Sequence, residues 1–390
     1  MYHYSQRLPW SLSRNQFSAA LDRKRSAGAR LLDLTVSNPT EAFDDYPHAE
    51  IARAYDEIGD FTYRPEPAGS LAARLAIASY YQARQVNLAP ERLVLTASTS
   101  EAYAFLFKLL CDPGDEILAP IPSYPLFEYL AALESVRTVP YRLRYDGRWF
   151  LDIPNLRAQI SSRTRAIIVV NPNNPTGSFL KEDEAAELCG VAERHSLPII
   201  SDEVFMDYAI ATDATRVRTL IGTESTAVFS LNGFSKCAGM PQMKLAWMAI
   251  SGPDAICQEA HQRLELISDT YLSVATPVQT AALALLETGG RLQRRIAARV
   301  ARNLQQLNAT FANSAAQCLH VEGGWSAILH VPARFCEDIW TMRLLNEYGV
   351  IVQPGYFFDM ESEAYLVVSL IASPEAFAEG IDAVRRLADS

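Results

Sequence analysis

The chain has 390 residues, 49% hydrophobic and 21% charged, which is enough apolar material for a large core shared by more than one domain. A formal net charge of −10 excludes the basic face that a nucleic-acid binder carries. No apolar run reaches the roughly 18–20 residues of a membrane helix, and the start MYHYSQRLPWSLSRNQF lacks an apolar secretory core.

The six cysteines have no C-x-x-C spacing and predict reduced thiols in the cytoplasm. The histidines form no metal motif, so no metal site is expected. From residue 92 to 251 come the β-type runs RLVLTAS, EILAPIP, RAIIVVNP, PIISDEV, TAVFSLNG and LAWMAIS. Several are apolar throughout, as strands covered on both faces are. Helix-like segments lie between them, at 100–112 (SEAYAFLFKLLCD) and 181–195 (KEDEAAELCGVAERH). This alternation predicts an α/β domain with a mostly parallel sheet flanked by helices.

Beyond residue 255 the pattern turns long and helical, and the Arg-rich stretch at 291–303 reads as a solvated helix face. The strand-like runs SAILHVP, VIVQPG and YLVVSLI follow, then the amphipathic PEAFAEGIDAVRRLA, which together predict a smaller α+β domain. The expected division is a segment at 1–45 packing with the small domain, a large domain at 46–290 and the small domain at 291–390.

Ligands of open α/β sheets sit at the carboxyl ends of strands. The chain's polar motifs fall there: Ser98-Thr99-Ser100, Ser123-Tyr124, Asn171 to Gly177, Asp202 and Lys236. Asp202 ends an apolar strand; it is either a loop carboxylate or one partnered by a buried cation. VNPNNPTG is either a rigid proline-and-Asx turn or a mount for one asparagine amide. ASTSEAY is either an ordinary helix cap or a phosphate site at a helix start. Only five lysines occur in the chain, yet Lys236 and Lys244 both lie in LNGFSKCAGMPQMKLAW. Lysine, unlike arginine, can lose its proton and form a covalent imine.

Together these stretches resemble pyridoxal-phosphate enzymes of fold type I, in the class I/II aminotransferase family. The resemblance runs from LDLTVSNPT (32–40) to the terminal helix, and NPNNPTG, SDEVF and FSK-x-x-G-M-P are its most specific parts. It implies that Lys236 forms the Schiff base with pyridoxal 5′-phosphate and that Asp202 pairs with the pyridinium nitrogen. It further implies that Asn174 bonds the phenolic oxygen and Tyr124 stacks on the ring. Ser98, Thr99, Ser100, Ser235 and Lys244 would hold the phosphate. Tyr63 would reach the phosphate of a partner subunit in a homodimer, and Ser37 and Asn38 would lie near the substrate.

The implied activity is ping-pong transfer of an amino group between an amino acid or amine and an oxo acid, with Lys236 as the proton shuttle. A lyase or decarboxylase on the same fold is the alternative.

This chain departs from the family pattern at four places. Phe205 stands where a tyrosine donor is common, which should raise the pKa of the internal imine unless Tyr208 compensates. Gly233 replaces a phosphate-binding serine, and Lys244 replaces an arginine whose fork suits phosphate better. Val367 occupies the place of the arginine that clamps the substrate carboxylate. An atypical substrate is therefore expected, or a clamp supplied by Arg7, Arg14, Arg64 or Arg263.

Overall fold

The computed structural model describes residues 2–8, 16–60 and 62–390. After a short β1 (Leu32–Asp33), the chain builds β2 (Leu93–Thr96), β3 (Glu116–Ile121), β4 (Arg137–Tyr145) and β5 (Trp149–Leu151). It continues through β6 (Thr164–Val170), β7 (Ile199–Asp202), β8 (Val228–Gly233) and β9 (Ala246–Ser251). Strands β2 to β9 form one sheet in the spatial order β2-β9-β8-β7-β6-β3-β4-β5. Neighbours from β8 across to β4 are parallel, while β9 lies antiparallel between β2 and β8, and β5 folds back on β4. The apolar runs read from the sequence become the central strands, and β7, β8 and β9 are buried along their whole length. Helices cover both faces, which is why these strands show no alternation.

The helix Thr99–Leu110 starts through reciprocal capping. The Glu101 N–H donates to Ser98 Oγ at 3.1 Å, and the Ala97 N–H donates to the Glu101 carboxylate at 2.7 Å. Two orphan donors are satisfied, and the helix start is fixed just beyond β2.

A second sheet is antiparallel. It contains β10 (Gln317–Cys318) and β11 (Ser326–His330) and, beyond the short β12 (Val350–Ile351), also β13 (Gln353–Pro354) and β14 (Tyr365–Ser369). Their order is β10-β11-β14-β13. Strand β12 instead pairs in parallel with β1, Leu32 opposite Val350, so residues from the two ends of the chain share a ladder. The terminal helix Pro374–Asp389 buries Phe377, Ile381, Val384 and Leu387 at helical spacing.

The 30-residue helix Ala282–Phe311 joins the two sheets, spanning about 45 Å at 1.5 Å per residue. Its Arg-rich stretch is only partly the solvated face expected from sequence. The Arg299 guanidinium lies 3.7 Å from the Phe43 ring centroid and donates to the Ala42 carbonyl, tying the N-terminal segment to the helix.

A second tie is ionic. The buried Lys181 donates to Asp213 at 2.7 Å and to buried Glu322, while Glu322 accepts the Phe179 N–H at 2.9 Å. Glu322 lies three residues before Trp325, so this triad anchors the approach to β11.

Among the described residues no helix is long and apolar enough to cross a membrane. No cluster of three or more His, Cys, Asp or Glu side chains there could hold a metal, and the six cysteines are free.

Candidate active site

A cleft of about 660 Å³ opens where the parallel strands end and the small sheet faces them. Chain direction explains what meets there. Strands β2, β3, β6, β7 and β8 run the same way and deliver Ser98, Tyr124, Asn174, Asp202 and Lys236 from their carboxyl ends. Strand β9 runs against β8, so its start lies at this same edge and brings Lys244 with it.

Asp202 ends β7 near the centre of the sheet and is buried. It accepts the Val204 N–H at 3.2 Å and the Tyr103 hydroxyl at 3.1 Å. Burial pushes its carboxyl up to about 6, although these two donors and the Lys236 charge pull the other way. The next residue, Glu203, points into a different environment. Ser201, Thr219, Ser230 and the Leu220 N–H all donate to it, so it is a satisfied structural carboxylate.

Lys236 sits in the single turn Phe234–Cys237 that follows β8. Its Nζ lies 4.6 Å from the Trp325 ring centroid and 5.3 Å from that of Phe205. Burial lowers its ammonium to about 8, with the Asp202 charge opposing. An amine that releases its proton this readily is a usable nucleophile and base near neutral pH.

The other residues expected at the site also line the cleft, except Tyr63. Asn174 accepts the Ser326 hydroxyl on its oxygen at 3.0 Å, leaving its amide NH₂ as the group available to a ligand. Ser98 spends its hydroxyl oxygen on the cap, so the anion-binding capacity rests on the Thr99 and Ser100 N–H groups and hydroxyls. Ser235 is half-buried. Lys244 is exposed and adopts a left-handed backbone at φ 52°. Tyr124 is 47% exposed, its ring open to a planar partner. Ser37 is exposed at the rim, and Asn38 caps the short helix Pro39–Ala42. Gly233 has a steric reason: a Cβ there would fall 2.7 Å from the Ala246 Cβ, so no serine fits between β8 and β9.

Several expectations are corrected. Tyr208 does not replace the donor lost at Phe205, because its buried hydroxyl donates to the Lys236 carbonyl at 2.7 Å. The expectation for Tyr63 is not among them: expected to reach a partner subunit's site, it is 64% exposed and lies outside this chain's own cleft. Arg7 donates to the Leu133 carbonyl, Arg64 pairs with Asp60 and Arg263 pairs with Glu259, all away from the cleft. Arg14 lies outside the described residues. No arginine lines the cleft among the described residues.

Val367 is buried in an apolar cluster with Ile328, Phe358, Trp149 and Leu319. Sequence reasoning missed Tyr103, Trp325, Ser326, Gln353, Phe358 and Ser369, all of which border the cleft. A signal existed for Tyr103 alone: it stands one helical turn after Thr99, where a side chain can follow the cap into the site.

The residues present fit pyridoxal 5′-phosphate. Asp202 is a buried carboxylate whose cost a ring N–H⁺ would offset. The helix start holds free N–H donors for a phosphate, and a lysine of lowered pKa lines the same cleft. A large mixed sheet with a lysine after a central strand, facing a small antiparallel sheet, is the fold type I architecture of aminotransferases.

The chain belongs to the aminotransferase class I and II family, whose model matches residues 29–383. It is 29% identical over 260 residues to the glutamate-pyruvate aminotransferase AlaA of Escherichia coli K12, covering 66% of this chain and 64% of the relative. It is 27% identical over 269 residues to mouse tyrosine aminotransferase, covering 68% of this chain and 59% of the relative. The chain thus spans about three fifths of the length of the curated relatives it matches. An alanine aminotransferase structure from Pyrococcus furiosus superposes with a TM-score of 0.88 at 23% identity, covering 99% of each chain.

Proposed function

We propose that the protein is a pyridoxal 5′-phosphate-dependent aminotransferase acting by a ping-pong mechanism, with Lys236 and Asp202 as its catalytic residues. The observation that carries this reading is the meeting of a proton-releasing lysine and a buried, hydrogen-bonded carboxylate in one cleft. The bound cofactor supplies an electron sink for the pair of electrons released at the substrate's amine-bearing carbon.

The chain's own groups do the rest. Asp202, held by Tyr103 and Val204, keeps a proton on the ring nitrogen. The Asn174 amide would hydrogen-bond the ring's phenolic oxygen, and Tyr124 would stack on its face. Thr99, Ser100, Ser235 and Lys244 grip the phosphate, beside the Ser98 cap. The Lys236 amine takes the proton from the substrate carbon and returns it one position away, while Phe205 and Trp325 keep water off its nitrogen. Ser37 and Asn38 border the entry.

Relatives named for glutamate, pyruvate, alanine and tyrosine support a small-molecule amino donor and an oxo acceptor. The apolar cluster around Val367 supports an atypical choice of them. A homodimer with shared sites is supported by the exposed Tyr63 and by exposed Leu71, Leu75 and Leu272. Free cysteines support a cytoplasmic location.

The test is a single turnover of the loaded protein with a donor and no acceptor. Stoichiometric pyridoxamine phosphate is expected; pyruvate with ammonia would select elimination instead. Material that stays colourless with the aldehyde, without a borohydride-reducible link at Lys236, would overturn the reading.

A further inference from the structure

We propose that the preferred donor is a primary amine with no carboxylate on its amine-bearing carbon, and the preferred acceptor an aldehyde or ketone of the same kind. This rests on the aminotransferase reading above and names the substrate class of that site.

The argument begins with charge. Among the described residues of this chain that line the cleft, only Asp202, Lys236 and Lys244 are charged, and all three stand at the end of the large sheet. That is where the cofactor's ring, aldehyde and phosphate would be held. The facing wall comes from the small sheet and is neutral. Ser326 and Ser369 are paired across β11 and β14, and Gln353 stands opposite Val367 across β13 and β14. Both serines are spoken for: Ser326 donates to Asn174, and Ser369 donates to the Val36 carbonyl. The Gln353 side chain has no protein partner among the described residues and borders the cleft, so it is the group free to hydrogen-bond a substituent.

The position that the resemblance assigns to a clamping cation is filled by an apolar side chain. Val367 is 1% exposed, and Phe358, which borders the cleft, packs in the same cluster. Arg142, on β4, is already held by both oxygens of Glu361 in the loop before β14. A carboxylate entering here would be stripped of water against aromatic and amide groups, with no counter-ion from the described residues of this wall, which disfavours its charged form strongly. An uncharged substituent meets no such penalty and gains apolar contact with Phe205, Trp325 and Phe358.

The chemistry balances without an outside oxidant. The donor carbon gives its hydrogen as a proton to Lys236, loses its nitrogen to the cofactor and takes oxygen from water, leaving as an aldehyde or ketone. The acceptor carbonyl then receives that nitrogen and releases water. Both half-reactions face the same neutral wall, so the preference applies to both.

The experiment uses full-length, cofactor-loaded protein and matched pairs: 2-phenylethylamine with L-phenylalanine, and 3-methylbutylamine with L-leucine. The rate and extent of loss of the visible absorption band are followed without acceptor, with KM and kcat resolved separately. The amine of each pair is expected to exceed its amino acid by roughly 100-fold or more in kcat/KM. Phenylacetaldehyde should likewise exceed phenylpyruvate on the pyridoxamine-loaded form. Gln353→Arg places a cation in the wall and should narrow the ratio at least about tenfold, an effect that general loss of folding would not produce. Equal or inverted ratios, or a ratio unmoved by Gln353→Arg, would overturn the inference and leave the aminotransferase reading standing. Absence of bleaching with every compound, in protein that carries the reducible Lys236 link, would overturn the aminotransferase reading itself.

Discussion

The Tyr103 hydroxyl donates to Asp202 at 3.1 Å from within the helix that also presents Ser98, Thr99 and Ser100. One helix therefore both offers N–H groups to an anion and holds the carboxylate proposed to face the cofactor ring. On the proposed reading, a single rigid element would meet both ends of the cofactor.

Tyr103→Phe removes that donor and lets burial raise the Asp202 pKa further, since the hydroxyl now opposes it. A hydrogen bond to a charged group contributes about 1.5–3 kcal/mol. Cofactor affinity is expected to fall about 10-fold or more, measured by titrating cofactor-free protein with pyridoxal 5′-phosphate.

The Lys236 ammonium, lowered by burial to about 8 from an ordinary 10.5, binds its proton less readily in the folded than in the unfolded chain. Stability linked to it is complete above the ordinary value and is lost as pH falls through 8. Cofactor-free protein should thus gain roughly 2–3 kcal/mol of stability from this group between pH 7 and 10. Urea unfolding across that range, compared with Lys236→Met, should show the rise only in the lysine-bearing chain.

Lys244 holds a left-handed backbone, which costs a non-glycine residue about 1–2 kcal/mol. A strained cation at a cleft edge suggests function won over stability. Lys244→Gly should stabilise the cofactor-free protein by about 1 kcal/mol and weaken cofactor binding about 5-fold, as expected of an exposed ion pair. Paired thermal melts and cofactor titrations separate the two effects.

Lys181→Met strands the buried Glu322 carboxylate without its cation. Breaking such a buried pair from one side costs about 3–5 kcal/mol. The urea midpoint should drop accordingly, and adding Glu322→Gln should recover part of the loss, because the stranded charge is then gone.

Much of this site is legible before any coordinates. Asp202 ends an apolar run, Asn174 and Lys236 each come within a few residues of one, and a parallel sheet gathers such positions at one edge. The residues that stay hidden do so for physical reasons. Tyr103 belongs to a helix face whose neighbours Phe107 and Phe127 pack on it, so it reads as core. Ser326, Gln353 and Ser369 look like ordinary strand residues until register sets them on one wall. The hairpin β4–β5 escapes notice because its arginines and Pro140 break the apolar pattern, as the half-exposed edge of a sheet allows. The Arg-rich helix misleads in the opposite sense, since Arg299 works as a tie to Phe43.

The ladder between Leu32 and Val350, with Ser369 reaching the Val36 carbonyl, has a consequence for biosynthesis. A chain still emerging from the ribosome holds its lysine and its acid long before the wall opposite them has been translated. Closure of the cleft must wait for release of the last strand, so a truncated product would be left with half a pocket.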